Sequence, residues 1–372
     1  MRGNWGEHFK LTIFGESHGP AIGIVIDGVP AGFPINEEEI RFHMSRRAPG
    51  KDPTATARKE ADSFRFLSGI FNGRATGTPI AAVIENTNTH SADYSQLASL
   101  MRPGHADYAG HVRYHGYNDP RGGGHFSGRL TAPIVLAGSI ARQMLAANGM
   151  TIGAHIASVA GVKDEPFSSA AVSRDLLSSL WKNYFPLLNP EKEAEMRQLI
   201  AAAKAEEDSV GGILECIAIG VPAGIGSPFF GSVESVFSSL AFSIPAVKAV
   251  EFGDGLSITQ LRGSAANDPL FLQDGRVTCS SNHNGGITGG ITNGMPVLLR
   301  VAVKPTPSIS KPQQTVNVVT GTNETLRIAG RHDPCIVPRA VPVVESALAI
   351  SLLELLLDAK ANTFSEDERI TL

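Results

Sequence analysis

The sequence predicts an α+β fold, and its length suits one large domain over residues 1–372 or two ordinary ones; three observations carry the reading. Strand-like and helix-like segments are mixed without the regular β-α-β alternation that a doubly wound sheet needs. Helical periodicity is confined to three segments, set against at least five short β-rich runs. Glycine (39) and proline (23) are spread along the whole chain, so no single linker divides it.

In chain order, the strand candidates are Ala21 to Asp27, Ile80 to Glu85, Thr151 to Val162, Ile213 to Pro222 and Val297 to Val303. The first predicted helix is capped by Thr131, carries Pro133 in its first turn and runs through Leu136, Ile140 and Met144 to Gly149. Glu191 to Asp208 reads as an amphipathic, charge-rich helix stopped before Gly211 and Gly212. Pro342 to about Lys360 reads as a mostly apolar helix that must be buried. Glu345 and Glu354 inside that apolar stretch favour a core helix over a membrane span. The last residues, about 362–372, read as a disordered tail. Four long polar, glycine-rich connections remain: Met44 to Ala61, Arg102 to Gly128, Asn282 to Gly290 and Lys304 to Arg331. Loops of that length in a folded domain are read as functional.

Composition narrows the function. Hydrophobic residues are 42% and charged residues 18%, which is globular rather than disordered chemistry. A formal charge of -4 argues against a protein built around nucleic acid or an anionic membrane. Yet Arg41 to Arg65 holds seven Lys/Arg against three acids, leaving 25 bases against 33 acids elsewhere. A basic segment on an acidic body suits a small anionic ligand, or equally a solvated basic face. The three cysteines (Cys216, Cys279, Cys335) are far apart and fit no CxxC pattern, which points to free thiols in a reducing compartment. The N-terminal residues contain no apolar h-region, so no signal peptide is expected and the location reads as cytoplasmic.

Gly15-Glu16-Ser17-His18-Gly19 satisfies G-x-S-x-G, the nucleophile elbow of serine hydrolases. An elbow needs a helix directly after the serine, whereas here a β-rich run follows, so a hydrolase using Ser17 stands only as the alternative. Arg102-Pro-Gly-His105-Ala-Asp107-Tyr108 holds a histidine on a turn, with an acid two residues away that could hold it or shift its pKa. His111 and His115 lie four apart, but without H-E-x-x-H or a nearby cysteine they give little support to a metal site. In Arg121-Gly-Gly-Gly-His125-Phe126-Ser127-Gly128-Arg129 the triple glycine can wrap an anion with backbone N–H groups, and Arg129 offers the planar fork suited to phosphate or carboxylate. Gly330-Arg331-His332-Asp333-Pro334-Cys335 suits either a charge-paired corner or a site. Ser281 to Gly290 is a polar glycine loop, and Lys304-Pro305-Thr306-Pro307-Ser308 sets a cation beside two hydroxyls.

Taken together and in this order, F-G-E-S-H-G, R-P-G-H-A-D-Y, R-G-G-G-x-x-S-x-R, S-N-H-x-G-G-I-x-G-G, K-P-T-x-S-I and G-R-H-D-P-C resemble the chorismate synthase family, from Gly15 to about Leu352. The resemblance implies a β-α-β sandwich-like core and a homotetramer. It implies a lyase of the shikimate pathway that eliminates phosphate from 5-enolpyruvylshikimate 3-phosphate (EPSP) using reduced FMN with no net redox change. FMN would be reduced by an external flavin reductase or NADPH. Carried onto this sequence, His18 protonates the departing phosphate, helped by Ser17. His105 faces the flavin, and Asp333 relays the substrate proton with Ser127. Arg47, Arg46, Arg102, Arg129 and Arg339 anchor substrate, while Arg331 anchors substrate or the flavin phosphate. His125, Phe126, Ser127, Ala246, Gly289 and Lys304, Pro305, Thr306, Pro307 and Ser308 contact FMN. The sequence departs from the family pattern at Ala48 and Pro53, where arginine is common, at His125, which replaces a flavin-contacting arginine, and at Pro245, which replaces an asparagine.

Overall fold

A computed structural model describes residues 3–50, 52, 61–87, 99–168, 172–328 and 332–362. Arg331 and Pro53, and the tail expected after residue 362, lie outside the described residues.

Two five-stranded antiparallel sheets sandwich a layer of helices. The first runs in the order Asn4–Trp5, Lys10–Gly15, Ala21–Asp27, Ile80–Glu85, Phe64–Phe66. The second runs Val247–Phe252, Val297–Val303, Gly212–Ile219, Thr151–Val159, Val162–Lys163. Between them lie the central helix Thr131–Ala147 and the C-terminal helix Val337–Ala361, with Glu37–Arg47 packed against both. The stretch Arg121–Ala147, which ends in the central helix, and the C-terminal helix are long and apolar enough to cross a membrane, and both are mostly buried inside this fold. The central helix is buried at every residue from Thr131 to Leu145. Its Gly138 admits the C-terminal helix at close range, since a Cβ there would stand 2.2 Å from that of Ser346. One contiguous core reaches from Phe9 to Leu356.

Three of the expected strands appear with the expected bounds; two are shorter. The Thr151 strand ends at Val159 because Ala160 (φ 49°) and Gly161 (φ 90°) turn the chain into Val162–Lys163. The other spans Gly212–Ile219, with Gly220 at φ 73° after it. The charge-rich helix spans Lys192–Ala205. Thr131 is not a cap: Leu130 takes that position, because the short turn Gly128–Leu130 feeds directly into the helix. The Thr131 hydroxyl instead donates to the Gly128 carbonyl at 2.6 Å and accepts from Arg47 Nε at 3.1 Å. The C-terminal helix begins at Val337, earlier than expected, with Pro338 in its opening positions, and Pro342 is accommodated inside it.

This architecture gathers helix ends. Thr131, first in the central helix, and Arg339, in the first turn of the C-terminal helix, both contact Arg47 at the end of Glu37–Arg47. Two positive helix N-termini therefore meet in one place, which favours anions there.

Candidate active site

The residues singled out from the sequence sit on segments that enter or leave the core elements. The Gly15–Gly19 loop joins two strands of the first sheet and lies against the triple-glycine turn. Ser17 N donates to the Gly124 carbonyl at 3.2 Å. The Ser17 hydroxyl donates to the Gly122 carbonyl at 3.0 Å and stands 3.1 Å from His18 Nδ1. Ser17 and His18 are both buried. Gly122, Gly123 and Gly124 all have positive φ (59°, 84°, 52°), the left-handed backbone that glycine alone adopts cheaply. A Cβ on Gly122 would lie 2.1 Å from two atoms of the His18 ring, so the turn closes directly over the imidazole. The strand Ala21–Asp27 follows immediately, with no helix, which removes the nucleophile-elbow reading of Ser17.

The His125 ring also serves this junction, its Nδ1 lying 2.8 Å from the Gly15 carbonyl. Phe126 is 39% exposed and packs on Tyr114. Ser127 caps the turn into Arg129, accepting from Arg129 N at 3.3 Å.

A second cluster surrounds His105. Its Nε2 is 2.7 Å from Ser308 Oγ. Burial first, and then the Arg102 cation, push the His105 imidazole down to about 4, so it is neutral at pH 7. Asp107 does not hold His105. It grips Arg102, accepting from Nε at 2.7 Å and Nη2 at 2.8 Å, a two-point fit that a single imidazole nitrogen cannot match. Lys304 Nζ donates to the Gly104 carbonyl at 2.6 Å, and Lys304 N to the carbonyl of Ala246, itself at φ 75°. Pro307 packs on Gly104, where a Cβ would come within 2.9 Å. The Thr306 hydroxyl is buried without a hydrogen-bond partner among the described residues. Gly289 (φ 63°) lies in the tight turn of the Ile287–Thr288 and Ile291–Thr292 hairpin, with open space where a Cβ would be. Arg102 also approaches the triple glycine, its Nη2 lying 3.6 Å from a Cβ position on Gly123.

The third cluster is built of arginines. Arg47 donates from Nη1 to Asp62 Oδ2 at 2.5 Å and from Nη2 to the Gly128 carbonyl at 3.0 Å. Arg129 pairs with the other Asp62 oxygen and donates from Nε to Asn86 at 3.1 Å. Arg339 reaches the Arg47 carbonyl with Nε at 3.2 Å and Asp333 with Nη1 at 2.5 Å. His332, next to Asp333, is held below its ordinary range by burial and feels the Arg102 charge. Hydrogen bonds join Asp333, Arg339, Arg47, Asp62 and Arg129 in series, His18 packs under Gly122, and the Arg102 charge acts on both His105 and His332. Arg46 is turned elsewhere. It pairs with Glu345 at 2.5 Å and 3.1 Å, beside Arg142, deep in the helical layer.

Asp62 and Asn86 carry no motif of their own. Asp62 counts in the sequence only as one of three acids in the basic segment, and Asn86 was not singled out at all. Asn86 Nδ2 donates to the carbonyls of Glu16 (3.0 Å) and Gly19 (2.9 Å), so it ties the His18 loop to Arg129.

Comparison with known proteins gives a consistent picture. The family model described as chorismate synthase matches residues 9–357. A chorismate synthase of Dehalococcoides mccartyi is 45% identical over 96% of this chain and 98% of its own length. One from Methanocella arvoryzae is 43% identical over 95% and 94%, respectively. The solved structure titled "Crystal Structure of Chorismate Synthase" superposes with a TM-score of 0.75 at 29% identity, covering 95% of this chain and 93% of that one.

Proposed function

The chain belongs to the chorismate synthase family, and from that premise we propose that it eliminates phosphate from EPSP to give chorismate through the residues assembled above. It is a carbon–oxygen lyase of the shikimate pathway. The site assignment is supported by His18 lying under the triple-glycine turn that Arg102 approaches, by the Arg102 charge acting on both His105 and His332, and by the Asp333–Arg339 pair.

EPSP carries a phosphate and two carboxylates. Arg47, Arg129, Arg102 and Arg339, near two helix N-termini, form the charge that would bind and orient it. His18 gives a proton to the departing phosphate from Nε2, the nitrogen turned away from Ser17, whose hydroxyl fixes the ring. Asp333 accepts the proton lost from C6, with Ser127 assisting. The triple-glycine turn packs over His18 and limits water around the leaving group. Arg46, bound to Glu345, supports this arrangement through its neighbour Arg47.

The residues near His105 suit reduced FMN. The unpartnered Thr306 hydroxyl, Ser308, the Lys304 ammonium and a neutral imidazole together offer donors and acceptors to the polar edge and phosphate of a flavin. When bound, reduced FMN supplies an electron to the substrate and recovers it, so the elimination is redox-neutral overall. His105 is the group that would face the reduced ring's negative charge. We assign the remaining FMN contacts to His125, Phe126, Ala246, Gly289 and Arg331. The reductant comes from NADPH or a separate flavin reductase. A homotetramer is supported by exposed apolar side chains, Phe230 (96%) and Leu272 (74%) among them, and a cytoplasmic location by three unpaired cysteines.

Purified protein given EPSP and chemically reduced FMN without oxygen should release phosphate and chorismate. Release at the same rate with no flavin would contradict the mechanism. Adding NADPH alone, with oxidised FMN, identifies the reductant, and light scattering gives the assembly mass.

A further inference from the structure

Asp62 stands just before the Phe64–Phe66 strand with φ 49°, a left-handed backbone uncommon for a residue bearing a side chain. Its carboxylate is fully buried, and each oxygen is taken by a different guanidinium, Arg47 on one side and Arg129 on the other. Both arginines are also gripped at their other nitrogens: Arg47 by Thr131 and Gly128, Arg129 by Asn86 and the Glu85 carbonyl. Two cations from distant parts of the chain thus meet over a single carboxylate. Without it, two buried like charges would repel at short range. With it, the triad keeps one net positive charge beside the helix N-termini, the condition for drawing in an anion. Burial pushes the Arg47 guanidinium down, and the Asp62 charge is the chief influence opposing that. A cavity of about 310 Å³ touches Asp62 and Arg129 and is walled also by Arg65 and Glu85.

We propose that Asp62 is a positioning residue for the elimination: it holds Arg47 and Arg129 together as one receptor for the anionic groups of the substrate. The inference rests on the reading that these arginines bind EPSP. Asp62 acts on binding rather than on the chemical step, so its loss appears in KM. In full-length Asp62→Ala, the KM for EPSP rises about 10- to 100-fold, while kcat changes by less than about threefold and FMN affinity is unchanged. Sodium formate, a carboxylate small enough to replace the lost group, lowers that KM saturably in Asp62→Ala and not in the wild type; sodium chloride at equal ionic strength does not. Should Asp62→Ala fail to fold, Asp62→Asn, equal in size but uncharged, carries the KM measurement, and the formate arms apply to Asp62→Ala alone. An unchanged KM, a kcat loss without a KM change, or no effect of formate overturns the proposal. Wild-type turnover tests the function itself, and thermal unfolding without substrate tests Asp62 apart from it. Formate raises the Tm of Asp62→Ala only; an equal shift in the wild type counts against the carboxylate's role.

Discussion

The His18 imidazole is confined by Ser17 on one side and by the glycine turn above it, and that confinement sets what single substitutions do. His18→Ala and His105→Ala should each lower turnover by about 10²–10⁴, the range for a positioned acid or base; a variant with the wild-type rate removes that residue from the catalytic set. Gly122→Ala makes a sharper test of geometry. Its methyl group would have to occupy the ring's own space, 2.1 Å from two His18 atoms, on a backbone that disfavours any Cβ. Turnover should fall at least about tenfold through displacement of the imidazole, with the far-ultraviolet circular dichroism unchanged; full activity would show that His18 tolerates being moved. At this scale the sequence marks out His18 and His105 because each lies in an ordered glycine- or proline-bearing motif. It does not mark out Asp62, since its role depends on Arg47 and Arg129, which lie 15 and 67 residues away. Asp107 acts on His105 only through its charge, opposing the burial-driven fall of the imidazole. Of the two roles that the spacing allows, holding His105 or shifting it, only the second occurs, because the bidentate geometry of Arg102 takes the hydrogen bonds.

Among the elements, the helical layer is held by one buried carboxylate. Glu345 on the C-terminal helix receives Arg46 from Glu37–Arg47, Arg142 from the central helix at 3.3 Å, and Ala154 N from the Thr151–Val159 strand at 3.0 Å. Removing one member of such a network leaves buried charge uncompensated. Glu345→Ala should therefore cost about 3–5 kcal/mol of stability, measured by urea unfolding; a cost below about 1 kcal/mol would show that the arginines find other partners. The sequence made Glu345 conspicuous inside an apolar helix, but its partners are 299, 203 and 191 residues distant. Long, apolar elements were read well: Ala21–Asp27, Ile80–Glu85 and Val297–Val303 match their expected bounds because sustained apolar runs mark them. Edge strands such as Phe64–Phe66 and Val247–Phe252 were not anticipated. Phe64–Phe66 is only three residues long and Val247–Phe252 is mostly exposed or half-buried, so neither shows a sustained apolar run, and their pairing is dictated by the neighbouring strand more than by their own pattern.

Across the whole molecule, buried histidines make stability depend on pH. Burial holds His43 well below its ordinary range, helped by Arg142 and Arg46. Burial likewise lowers His332, and brings His105 to about 4. In the unfolded chain each takes a proton near pH ~6.5, while the folded chain leaves it neutral. Below pH ~6.5 the unfolded state thus binds more protons, and stability rises with pH; for His105 that slope runs down to about 4. His155 opposes this trend. Burial would lower it too, but hydrogen bonds to Asp164 (2.9 Å) and Glu215 (3.0 Å) outweigh burial and raise it. Its contribution is complete below pH ~6.5 and is lost as pH rises through its folded value. The two carboxylates are held low, so they lose their contribution only as pH falls below the ordinary carboxylate range. Among the described residues, the lowered imidazoles outnumber the raised one, which predicts a Tm that falls steadily from pH 7 to pH 5. His43→Gln keeps an acceptor within reach of Arg46, which approaches His43 Nδ1 at 3.2 Å, and removes the titration. That variant should lose less Tm between pH 7 and pH 5 than the wild type, as followed by circular dichroism. Equal losses in the two proteins would mean that His43 takes up its proton in the folded state as readily as in the unfolded one.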